Sequence, residues 1–195
     1  MPHDCLRIIR EEHAALAAML RSLTLMVERG PKRDIDTFFT VLRAMLFCVD
    51  EFPERLHHPK ETELLFPMLR CHSPQISADL DRLDHDHAKG EASIRDLQRL
   101  LIAWEFMGET RRGAFEGACV RYVNFYLDHM RLEETLILPA AELCLSAEQW
   151  RELDEAFAGN RDPLTRQFAP EPAYERLFAT ILLKAPAPIG VGEDV

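Results

Sequence analysis

Two stretches of this chain align without a gap. They are His57-His58-Pro59-Lys60-Glu61-Thr62-Glu63-Leu64-Leu65-Phe66-Pro67 and His129-Met130-Arg131-Leu132-Glu133-Glu134-Thr135-Leu136-Ile137-Leu138-Pro139. Each reads histidine, three residues, glutamate, two polar residues, three apolar residues and proline. On a helix the four-residue spacing puts histidine and glutamate on one face, with Cβ atoms about 5–6 Å apart. A block repeated in this form predicts two helical hairpins, each carrying the block near its C-terminal end. A further histidine stands on the helix before each block: His13 on the first and His87 on the third.

Working outward, the apolar spacing is helical nearly throughout. Leu6–Val27 forms the first stripe and Gly30-Pro31 ends it. A second segment runs from Asp34, placed as an N-cap, to about Leu69. Pro53, Pro59 and Pro67 fall inside it and predict kinks or a break. The third segment opens at Ser73-Pro74 and reads on to about Phe106; the fourth covers about Thr110–Leu143, with Pro139 near its end. Ser146-Ala147-Glu148-Gln149 has the form of a capping box before a short helix to about Phe157. A weaker helix is expected over Tyr174–Leu183, and the Pro- and Gly-rich tail Lys184–Val195 is expected to fray. The fold class is therefore all-α: an antiparallel four-helix bundle over residues 1–145, with a helical extension and tail over 146–195 packed on it. Leu177–Leu183 is expected to pack back on the bundle, with a homodimer contact as the alternative.

Composition narrows the function. Of 195 residues, 33 are acidic and 23 basic, giving a formal charge of −10. That balance argues against a nucleic-acid partner, which needs clustered Lys and Arg, and against attachment to anionic lipid. No segment approaches the roughly 20 apolar residues of a membrane span. The charged start, Met1–Glu12, does not resemble a signal peptide. Five widely spaced cysteines with no C-x-x-C pair fit free thiols in a reducing cytoplasm.

Three of the eight histidines have glutamate four residues on: His57/Glu61, His87/Glu91 and His129/Glu133. Chance would give about one. His13 is in register with Ile9, Leu16 and Leu20, and His87 with Leu80, Leu83 and Ile94, so both should face the core. A lone histidine there is usually a satisfied core residue, but here four helices each bring one. Four imidazoles and two carboxylates exceed one tetrahedral zinc site, and two carboxylates can bridge two cations. Mixed nitrogen and oxygen donors suit iron, manganese or zinc. Two buried glutamates without cations would be expensive.

With these residues, the chain resembles the hemerythrin-like, HHE cation-binding family of non-haem di-iron four-helix bundles, in its bacterial form. The resemblance rests on Glu12-His13, His57-x-x-x-Glu61 with Leu65-Phe66-Pro67, Asp86-His87, and His129-x-x-x-Glu133-Glu134 with Pro139. It covers about residues 4–145, and the stretch Leu145–Leu164 is similar to an extension common in bacterial members. The resemblance implies terminal nitrogen ligands at His13, His57, His87 and His129, and bridging carboxylates at Glu61 and Glu133. The implied cofactor is two iron ions, oxo- or hydroxo-bridged, with zinc or manganese as substitutes. An open position would take O2, peroxide or NO. The respiratory members carry two histidines four apart on the third helix; here His85 and His87 are two apart, on different faces. A seventh ligand is therefore sought among His58, His85, Glu91 and Glu134. Tyr126, three residues before His129, is weighed as a residue just outside the ligand set, and Asp84, Asp86 and Asp128 as acceptors for the ligand imidazoles.

Three functions follow as expectations. The first is a di-iron protein that binds or senses O2, peroxide or NO. The second is a di-iron oxidoreductase or an iron-handling or repair factor. The third is an interaction protein that holds its metal structurally. Imidazole must be neutral to ligate, so metal is expected to leave below about pH 5–6.

Overall fold

The computed structural model describes residues 3–160, 162–165 and 172–192. Among these there is no strand, and the bundle has the expected four antiparallel helices. They are α1 (Asp4–Arg29), α2 (residues 35–72), α3 (Ser77–Met107) and α4 (residues 112–144). Two helices follow: α5 (Ala147–Ala158) and α6 (Glu175–Lys184). Asp34 caps α2 by accepting from the Thr37 amide at 3.0 Å. Gly30 and Gly108, at φ 67° and 85°, end α1 and α3 in a conformation other residues rarely adopt. The Ser146/Gln149 capping box forms as the sequence predicts.

Of the kinks or break expected at the prolines, the break does not occur. Helix α2 runs through without interruption, widened into π-helix over Asp50–His57 and again over Glu61–Leu65. Helix α4 widens over Glu133–Ile137. Proline lacks an amide proton and clashes with the carbonyl four residues back. A wider turn removes both conflicts while the rod stays continuous, and such turns recur at functional sites. In each repeated block the wide turn starts at the glutamate, six residues before Pro67 or Pro139.

The apolar core falls into two clusters. One contains Leu20, Leu23, Phe38, Leu101, Trp104 and Phe115 near the α1–α2 and α3–α4 loops. The other contains Leu6, Ile9, Phe66, Leu69, Leu83 and Leu138 at the opposite end. Glu12, His13, His57, His58, Glu61, His87, His129 and Glu133 are all buried at chain positions between them. A polar layer thus crosses the middle of an otherwise apolar bundle.

Helix α5 lies along α1 and joins the second cluster through Trp150, Leu153 and Phe157. Its Asp154 accepts from the Cys5 amide at 2.8 Å, satisfying a free donor at the start of α1. Helix α6 buries Phe178 and Ile181 against the first cluster. The tail does not fray over residues 185–192. Buried Ser22 donates to the Pro186 carbonyl at 2.8 Å and accepts from the Ile189 amide at 3.1 Å. The expectation for residues 193–195 lies outside the described residues.

Candidate metal centre

Glu61 and Glu133 face each other at the centre of the polar layer, 0% and 1% exposed. Each extends one oxygen to each side. Toward one side, Glu61 Oε1 lies 3.2 Å from His57 Nε2, and Glu133 Oε2 lies 3.3 Å from His13 Nε2. Toward the other, Glu61 Oε2 lies 3.5 Å from His87 Nε2, and Glu133 Oε1 lies 3.1 Å from His129 Nε2. None of the four carboxylate oxygens has a hydrogen-bond partner. Buried charge in that state is costly unless a cation compensates it. His87 Nε2 and His129 Nε2 also face each other at 3.1 Å.

The outward nitrogens of three of these rings are held by oxygens, the arrangement that fixes the tautomer of a ligating imidazole. His13 Nδ1 meets Glu134 at 3.0 Å, His57 Nδ1 meets Glu12 at 2.6 Å, and His87 Nδ1 meets the Thr62 hydroxyl at 2.8 Å. His129 Nδ1 is 3.7 Å from Asp86, beyond hydrogen-bond length.

His58 lies inside the site as well. It offers a ring nitrogen within 4.8 Å of ligand atoms on His87 and His129, and its ring stacks on His87 at 4.2 Å. Its Nδ1 is 3.1 Å from Glu54, which also accepts from Tyr122 at 3.2 Å and from Tyr126. His57 and His58 therefore lie toward opposite sides of the layer, which the widened backbone over Asp50–His57 permits.

The other candidates stand elsewhere. His85 is exposed. Glu91 is exposed and pairs with Arg95. Glu134, 44% exposed, holds His13 from outside. Tyr126 is buried against His58 and His129. Asp84 pairs with Arg70 and Asp128 with Arg131, leaving Asp86 as the aspartate nearest a site imidazole. Sequence reasoning missed Glu54, Asn160 and Asp162. Glu54 was readable, since it stands four residues before His58, the same helical pairing in reverse order. Asn160 and Asp162 lie about a hundred residues from His57 and leave no local signal.

Charge divides the five imidazoles, three raised and two lowered. Burial opposes a proton on His57, but Glu61 and Glu12 outweigh it and hold its pKa well above the usual imidazole range. His13 is raised in the same way by Glu133 and Glu134, again against burial. His129 rises to about 10, with Glu133 and Asp86 overcoming burial. Burial together with the neighbouring imidazoles instead lowers His58 and His87. Burial and the facing Glu133 push Glu61 up; for Glu133, burial is overcome by His129 and His13, which hold it low.

A small cavity is lined by His13, His57 and His58 together with Leu16, Phe52 and Met130. Its room for the centre of a water-sized molecule is about 10 Å³, enough for roughly one such molecule. Asp162 forms part of the wall, and burial pushes its carboxyl up to about 7.

Residues 5–141 match the family model for the hemerythrin HHE cation-binding domain. The chain belongs to the hemerythrin HHE family. It is accordingly a metal-binding helical bundle, and the hemerythrin match ends before α5, so Asn160 and Asp162 lie beyond it. No curated protein matches the chain. No helix among the described residues is long and apolar enough to cross a membrane.

Proposed function

We propose that this hemerythrin-domain protein holds two iron ions and binds or senses one small ligand, O2, peroxide or NO. The observation that carries the reading is the pair of buried glutamates, each turning one unpartnered oxygen to either side. His13 and His57 would complete one ion, and His58, His87 and His129 the other, with Glu61 and Glu133 shared. The donor set fits: carboxylate and imidazole suit iron, manganese or zinc, and the number of donors exceeds one tetrahedral ion. Bound iron would supply an open coordination position and a reversible electron.

The chain's own residues supply the rest. Glu12, Thr62 and Glu134 keep His57, His87 and His13 aimed inward. The cavity has room for about one water-sized molecule. Selection is therefore by size, which favours diatomics and peroxide over organic substrates. A second reading, turnover of peroxide, is favoured by Asp162, which lines that cavity with a carboxyl that holds its proton near neutrality.

The test is anaerobic reconstitution with ferrous iron, a metal count, and absorption spectra after exposure to O2, peroxide and NO. Two irons per chain and a spectral change on exposure support the proposal. Tight zinc alone, with spectra indifferent to all three, overturns it. Turnover of peroxide, lost in Asp162→Asn with binding retained, would establish the second reading.

A further inference from the structure

The segment after the bundle reaches into the metal centre. Asn160 is buried, and its Nδ2 donates to Glu12 Oε2 at 2.8 Å. The same carboxylate oxygen accepts from His57 Nδ1 at 2.6 Å. The amide oxygen of Asn160 accepts in turn from Lys60, which stands one residue before Glu61. Phe157, at the end of α5, sets its ring 5.7 Å from His57 at 80°, edge to face. Glu12 is thus buried between two donors, one on the imidazole and one on a segment outside the matched domain. Two hydrogen bonds at one oxygen leave Glu12 little freedom to rotate. The imidazole it holds can then present Nε2 only toward Glu61.

We infer that Asn160 is a positioning residue for the metal centre, fixing His57 through Glu12. The extension then works as one wall of the site. This rests on the reading of His57 as a metal ligand. Partners of this outer kind commonly set metal affinity by 10–100-fold. The effect should fall on one ion only, because the contacts from Asn160 lead to His57, whereas His58 and His87 are held from Glu54 and Thr62 and His129 has Asp86 beside it at 3.7 Å.

The experiment uses the full chain, loaded with cobalt(II) and titrated with a competing chelator. Metal is counted by mass spectrometry and the ligand-field spectrum is followed throughout. Wild type and His57→Ala establish the baseline. Two tight ions in wild type and one in His57→Ala uphold the underlying reading; two in both sink that reading, whatever Asn160 does. Asn160→Ala is expected to weaken one ion by about 10–100-fold, leave the other at wild-type affinity and alter the spectrum of the weakened ion only. Asn160→Asp sets a second carboxylate against Glu12 and should weaken the same ion at least as much. Glu12→Gln approaches the contact from the other side, and should give the same one-sided loss if Asn160→Ala does not fold. Equal weakening of both ions would make the role merely structural, and wild-type affinity for both in Asn160→Ala and Glu12→Gln would refute the inference outright.

Discussion

Replacing His87 with leucine separates a ligand from a core histidine. His87 is buried, its Nδ1 meets the Thr62 hydroxyl, and burial keeps the ring uncharged. In the metal-free protein the change removes two hydrogen bonds, to the Thr62 hydroxyl and to His129 Nε2, and no charge, and leucine fills much of the space. At about 1 kcal/mol for each bond the cost is about 2 kcal/mol, or roughly 4–8 °C in melting temperature for a chain of this size. The metal-loaded protein should respond far more. Ligand at a hundred times its dissociation constant stabilises by about 2.7 kcal/mol per site. Two independent sites give about 5.4 kcal/mol, which is roughly 11–22 °C. His87→Leu should roughly halve that metal-induced rise, to about 5–11 °C, and the metal count should drop from two to one. Calorimetry of both proteins, with and without metal, reads both quantities. A metal-induced rise identical in variant and wild type would show that His87 is a satisfied core residue and that the ligand set of His58, His87 and His129 is misassigned.

Further outcomes follow from other contacts. Metal-free stability should peak near pH 6.5, the ordinary imidazole value. His13, His57 and His129 have raised pKa values, His129 to about 10. Their contribution is complete below about 6.5 and is lost as pH rises toward about 10. His58 and His87 are lowered, so their burial costs stability as pH falls below about 6.5. A stability that climbs steadily to pH 10 in urea titrations would contradict this. Because His129 holds a proton to about 10, protons should compete with metal well above the pH 5–6 expected from sequence. Metal affinity that stays level between pH 9 and 7 would be inconsistent with that. Gly90→Ala should lower the melting temperature, although alanine is the better helix former by about 1 kcal/mol. A Cβ there would fall 1.8 Å from the Tyr126 hydroxyl and 3.1 Å from Glu54, and overpacking of this kind costs about 1–3 kcal/mol. An unchanged melting temperature would mean that Tyr126 moves aside freely. Ser22→Ala removes the buried hydroxyl that donates to the Pro186 carbonyl and accepts from the Ile189 amide, two hydrogen bonds in all. A loss of about 1–3 kcal/mol in denaturant unfolding is expected, and no loss would show that the tail contributes nothing.

Much of this was legible in the sequence because it is local and periodic. Helix identity follows from apolar spacing, the ends from Gly30, Gly108 and the Ser146 box, and the paired donors from a four-residue repeat. The backbone at the prolines was not legible. Pro53, Pro67 and Pro139 signal only that an ordinary turn cannot form, and both a break and a widened turn meet that condition. The choice between His57 and His58 fails for the same cause. An ideal helix turns adjacent residues about 100° apart, so one must leave the site, whereas the widened segment keeps both within it. Asn160 and Asp162 were hidden because their contacts with α1 and α2 depend on how α5 packs, which no spacing encodes.

Iron-edge anomalous diffraction from iron-reconstituted crystals tests the central claim most directly. Two peaks are predicted, about 3.5–4 Å apart as in other two-metal sites. Both should lie between Glu61 and Glu133, one beside His13 and His57 and the other beside His58, His87 and His129. A single peak, or peaks away from the two glutamates, would contradict the account.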